Sequence, residues 1–292
     1  MRKFAAMLIG TILLTGTSSA FSADSTSSPS PTASPNAVST ISSQTGSYLV
    51  GDKGPGGGFI FYVNKKGFKC GPKFTSSGSP TGGLCHYLEV APSGWFSGKS
   101  NEADPDLAWA TKANLYKDVS GIENFQWPPK VIDNWWSDYL KKSMVGIGYK
   151  NSVAIVKQGN DTTTAAGAAR AYQGGSLNDW YLPTLAELNN FIKWARGVSW
   201  KSDSIVVTGG ALNSPIYGAE TAGLIRAGYW SSNEGTRETV DKAHHVVGNP
   251  KYANSFAYLH VNDVDYNINN PAQQLGTAEK VSTARVRPIR AF

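Results

Sequence analysis

Oxygen donors at alternate positions are the first feature of this chain that could do chemistry. NDVDYNINN (262–270) sets Asp263, Asp265, Asn267 and Asn269 two residues apart, the spacing from which a calcium loop draws its ligands. Ile268 and Gln274 stand where the helix–loop–helix type has its glycine and closing glutamate, so a polar strand face or hairpin tip accounts for the same pattern. Calcium is the one cofactor candidate. Asp179, Glu187, Glu220 and Glu234 are of the type that a glycosidase sets across a cleft as acid and base. Glu187 has a nearer role, because Thr184-x-x-Glu187 is a capping box for a helix start. The histidines are His86, His244, His245 and His260. His244 and His245 are adjacent and would face opposite ways in a strand, and no second ligand follows at helical spacing, which argues against zinc. No Gly-x-Ser-x-Gly elbow marks a nucleophilic serine.

Two glycine-rich stretches invite a phosphate-binding reading and fail it. GPGGG (54–58) leads into the apolar run Phe59–Val63, whereas a dinucleotide loop must lead into a helix. GWFSGKS (94–100) has three residues between its glycines, where the nucleotide-binding loop requires four. Tryptophan is the more suggestive residue, at nine copies. Trp180 and Trp230 sit in strand-like runs and are expected in the core. Trp127, Trp135 and Trp136 stand near Pro128 and Pro129, with Lys130, Asp133 and Asn134 between them, in an irregular stretch from about 99 to 143. Aromatic faces give contact area at low entropy cost and the polar groups give direction. Trp127, Trp135, Trp136, Asp133 and Asn134 are therefore the candidate ligand-binding set. The alternative is that these rings anchor an otherwise coreless insertion.

The elements that must position these residues read as a mixture. Phe59–Val63, CHYLEVAP (85–92), DWYLP (179–183), YWSSNE (229–234), SFAYLHV (255–261) and RVRPIRAF (285–292) have strand character. Ala-rich patterns around 150–156 and 164–172 suggest short helices. The strongest helix starts at Thr184, carries Leu185, Leu188, Ile192 and Ala195 on one face, and ends at Gly197. Strands at both ends with helices between them indicate an α+β fold. Cys70 and Cys85 would close a flexible loop of about 15 residues as a disulfide, worth about 3 kcal/mol in the chain-entropy model. A catalytic thiol would need His86 as its base, and is the lesser reading.

At the N-terminus, Arg2 and Lys3 precede the apolar run Ala5–Leu14, and Ser18 and Ala20 offer a cleavage site. That is the form of a signal peptide over 1–20, too short to span a bilayer. Residues 21–46 are a Ser/Thr/Pro-rich linker, leaving 47–292 as the folded domain of a chain expected to be secreted or held at the cell surface, with no membrane span after processing. A net charge of +6, two units of it from Arg2 and Lys3, argues against a nucleic-acid partner. The 31 glycines and 15 prolines argue against a helical bundle.

Taken in order, GDKGPGGGFIFYV (51–63), YLEVAP (87–92), GIGYKNSVAIV (146–156), DWYLPTLAELN (179–189), YWSSNE (229–234) and VRPIRAF (286–292) resemble an exported bacterial family. It is the family that includes the C-terminal domain of the collagen-like adhesin Lcl, and the likeness covers the folded region. The resemblance implies a C-type-lectin-like fold in which the first and last strands pair antiparallel, with two or three short helices. It implies an adhesion or binding role toward an extracellular glycan or protein ligand, and brings no catalytic residues. The Glu-Pro-Asn and Trp-Asn-Asp triplets of calcium-dependent lectins are absent, and the stretch 99–143 is longer than the family's usual form. A secreted hydrolase acting on cell-wall or polysaccharide material is the alternative from another class.

Overall fold

Phe59–Val63 is built wholly of aromatic and β-branched residues, which suit a pleated surface. It opens the first strand of the computed structural model. The structure describes residues 47–100, 102–115, 117–122, 124–126, 143–198, 210–225, 227–236, 238–240, 246–248, 255–260, 275–278 and 280–292. Within them, β1 (Phe59–Phe68), β2 (Cys85–Val90), β3 (Asp106–Ala108) and β4 (Asn124–Gln126) precede the helices α1 (Gly148–Lys157), α2 (Ala165–Ala171) and α3 (Leu185–Ala195). Then follow β5 (Gly228–Thr236), β6 (Glu238–Val240), β7 (Val246–Gly248), β8 (Ser255–His260), β9 (Leu275–Ala278), β10 (Thr283–Arg285) and β11 (Ile289–Ala291). The fold is α+β, and its strand pairs are mostly antiparallel.

One sheet has three strands in the order β1-β2-β11. A second runs β3-β10-β5-β8-β9, with β4 also on β5, and β6 and β7 form a separate pair. The expectation that first and last strands pair directly needs correction. They share a sheet, but β2 lies between them, pairing Phe59 with Val90 on one side and Ile289 with the same Val90 on the other. The reason is burial: Leu88, Glu89 and Val90 have no exposure, and a central strand needs ladder partners on both edges. RVRPIRAF is likewise not one strand. Arg285 ends β10 in the second sheet and Ile289 begins β11 in the first, with Pro288, which has no N–H to donate, at the crossing. DWYLP contributes a single bridge, Tyr181 to Ile289.

The capping box forms as its spacing predicts. Thr184 Oγ1 accepts from the Glu187 amide at 3.2 Å, and Glu187 Oε2 accepts from the Thr184 amide at 2.7 Å. Gly197, at φ +66°, ends the helix in the left-handed region that glycine favours. Instead of burying one face, α3 is buried nearly all round, from Leu185 and Leu188 through Phe191, Ile192 and Trp194. It packs under the first sheet with Phe59, Phe61, Leu88, Val90 and Ile289. A second cluster gathers Trp95, Trp109, Trp180 and Trp230 against the alanines of α2. The indole N–H groups of Trp109, Trp180, Trp194 and Trp230 donate to the carbonyls of Ser231, Gly174, Tyr217 and Leu107. Trp180 and Trp230 are core residues, as their runs suggest. Cys70 and Cys85 form a disulfide with Cα atoms 6.0 Å apart. No helix among the described residues is long and apolar enough to cross a membrane.

Candidate functional site

The glycine-rich loop does hold an anion, and that anion is the protein's own. The amides of Gly56 and Gly58 donate to Glu89 Oε2 and Oε1 at 3.1 and 2.8 Å. A Cβ on Gly54 would lie 2.3 Å from the Glu89 carboxyl carbon, and one on Gly58 would lie 1.9 Å from the Val90 carbonyl oxygen. Arg290 completes the site, donating from Nη1 to Glu89 at 3.1 Å and from Nε and Nη2 to the two oxygens of Asp179, both at 2.8 Å. Burial pushes the Glu89 carboxyl up, and the Arg290 charge opposes that shift.

Two further ion pairs are sealed in the interior. Arg287 Nε donates to Asp104 Oδ1 at 2.6 Å, and its Nη atoms donate to the carbonyls of Ala91, Ala222 and Gly223. Trp95 Nε1 donates to the same Asp104 oxygen at 3.0 Å, and the Tyr229 hydroxyl donates to the other at 3.0 Å. Lys280 is bonded to Glu234 and to the Lys117 carbonyl, with its ammonium 4.7 Å from the centre of the Trp109 ring. The second Glu234 oxygen accepts from the Val119 amide at 2.9 Å. Glu187 Oε1 accepts from the Tyr181 hydroxyl at 2.9 Å and the Gly146 amide at 2.8 Å, yet full burial pushes its carboxyl up to about 7.

These arrangements decide what the carboxylates can do. Glu89, Asp104, Asp179, Glu187 and Glu234 each serve the scaffold. Of the carboxylates weighed for a glycosidase pair, Glu220 lines an open cleft, and it does so with Glu102. Hydrogen bonds from Ser97 and Lys99 hold the Glu102 carboxyl below its usual range, the wrong direction for a general acid. His86 is engaged at Nδ1 with the Asn64 carbonyl at 3.0 Å, and its neighbour Cys85 is a disulfide partner rather than a thiol. No group of three or more His, Cys, Asp and Glu gathers for a metal among the described residues. Trp127, Asp133, Asn134, Trp135 and Trp136 lie outside the described residues, as do Asp263, Asp265, Asn267 and Asn269.

Two surface concavities stand out among the described residues. The first is a cleft of about 640 Å³ between the start of β1, the segment after β2 and the loop 213–225. Phe59, Pro92, Leu224 and Ile225 give it apolar patches, and Lys53, Ser93, Ser100, Glu102, Asn213 and Thr221 give it polar ones. Asn213, at φ +56°, exchanges hydrogen bonds with both backbone groups of Leu224 at 2.9 Å and so sets the cleft's shape. The Lys53 ammonium rests 3.5 Å from the centre of the Phe59 ring, and burial lowers its pKa against the pull of Glu89. The second concavity, of about 840 Å³, is lined by Ser47–Val50, Val63–Lys65, His86, Tyr87 and Tyr217. Here Tyr48 meets Tyr87 and Phe292 edge-on at 5.4 and 5.6 Å.

Sequence reading missed the buried ion pairs, although a signal was present. Glu89 sits inside the apolar YLEVAP, and Arg287 and Arg290 inside VRPIRAF. A charge within a buried strand requires a partner of opposite sign. No family profile, curated protein or solved structure matches the chain.

Proposed function

We propose that the chain is an exported binding module of C-type-lectin-like fold, acting in adhesion to an extracellular glycan or protein. The observation that carries this reading is the commitment of the buried carboxylates to scaffold partners, which leaves recognition to loop-built surfaces. The sharing of one sheet by the first and last strands supports the C-type-lectin-like reading, as do the motifs DWYLPTLAELN, which leads into α3, and YWSSNE, which lies in β5. The basic, apolar and small-residue order of 1–20 supports export.

Two candidates compete for the ligand: the Lys53–Thr221 cleft and the tryptophan set of 127–136, which lies outside the described residues. A glycan and matrix-protein array probed with residues 46–292 should reveal a ligand. Thr221→Trp would fill the cleft, and Trp135→Ala with Trp136→Ala would remove two rings of the other set. Loss of capture in one variant, with its melting temperature unchanged, assigns the site. The hydrolase reading draws on Glu102 and Glu220 sharing a cleft. Release of sugar from cell-wall polysaccharide by the parent but not by Glu220→Gln would replace the binding module with that enzyme.

A further inference from the structure

We infer that the groove around Tyr48, Tyr87 and Tyr217, with the lysines beside it, docks onto an anionic lipid surface. The charge is lopsided. From Lys53 to Leu88 the chain has no Asp or Glu, while Lys65, Lys66, Lys69 and Lys73 fall within nine residues. All four are exposed. They cluster where β1 meets the disulfide loop, opposite the start of β2, in a register pairing Val63 with Tyr87 and Phe68 with Cys85. None of them has a carboxylate partner among the described residues. Lys65 lines the groove itself.

The groove adds what lysines alone do not explain. Its lining is mainly apolar, and Leu49 on its wall is 68% exposed. Ile216, next to the lining residue Tyr217, is 65% exposed. A soluble polyanion would satisfy the lysines and leave the aliphatic side chains in water. A neutral sugar would want directional polar groups where this wall is apolar. A bilayer interface matches both parts: phosphate headgroups meet the ammonium groups, tyrosine rings sit at headgroup depth, and Leu49 reaches the acyl boundary. Lysine stems can lie along the apolar layer while their charges stay at the phosphates.

The test is flotation of the purified chain without residues 1–20, whose basic, apolar run would bind vesicles by itself, with phosphatidylcholine vesicles, with and without about one third phosphatidylglycerol. Binding should appear only with the anionic lipid and fall in high salt. Each lysine is expected to contribute about fivefold to partition, so Lys65→Gln with Lys66→Gln should weaken it about 25-fold. Lys112→Gln with Lys157→Gln removes equal charge from exposed positions elsewhere and should change binding far less. Leu49→Ser should lower the part of the binding that survives salt. Equal losses in the two lysine pairs, binding to both vesicle types alike, or binding to dextran sulfate with none to vesicles would overturn the inference.

Discussion

Arg290 joins Glu89 and Asp179 across 201 and 111 residues of sequence, so one side chain ties three parts of the chain together. Removing one partner of a buried pair leaves an uncompensated charge, and Arg290→Met should cost on the order of 3–5 kcal/mol in urea unfolding. Arg290→Lys should recover only part of that loss, since a lysine cannot reproduce the two-pronged contact with Asp179. Glu187 predicts a pH effect. Its carboxyl is raised from 4.5 to about 7 in the folded state, so between those values the folded chain keeps a proton that the unfolded chain releases. Its contribution to stability is full below 4.5 and is lost as pH rises through about 7. The urea midpoint should therefore fall over that window, and Glu187→Gln should flatten the fall. Glu89 and Glu234 are also raised by burial and should keep part of the slope.

At the scale of elements, the disulfide closes a separation of 15 residues around a loop with little core of its own. Cys70→Ser with Cys85→Ser should cost about 3 kcal/mol, with hydrogen exchange rising most in 70–85. Gly58→Ala should be as damaging, because the new methyl would press into the Val90 carbonyl and pry β1 from β2. The elements themselves were largely legible in the sequence. The capping box announces α3, and the aromatic run Phe59–Val63 announces β1. Their partners were not, because pairing depends on which strand is buried on both sides, and the insertion of β2 between β1 and β11 leaves no local mark. Periodicity misled at RVRPIRAF, where Pro288 allows a change of sheet that an apolar pattern does not reveal. The candidate site was legible in part: GPGGG is recognisable as a glycine-rich lead into a strand, but its grip on Glu89 rests on a contact 31 to 33 residues away.

For the whole molecule, the decisive segment is the last one. Lys280, Arg287 and Arg290 supply the cations of the buried pairs, and β11 supplies the second edge of β2. Deleting the final eight residues removes Arg287, Arg290 and β11 together. The truncated chain should lose its cooperative urea transition and bind a hydrophobic dye, because it exposes a strand edge above stranded carboxylates. A sharp transition like that of the parent would mean that the first sheet stands without closure. There is also a consequence in time. A polypeptide that emerges from a ribosome amino end first presents Glu89, Asp104, Asp179 and Glu234 well before their countercharges arrive. Until Lys280, Arg287 and Arg290 have emerged, those carboxylates have no countercharge and burying them is costly, so the half-made domain should stay loose. The order of charges along the sequence thus makes closure of the interior one of the last events of folding.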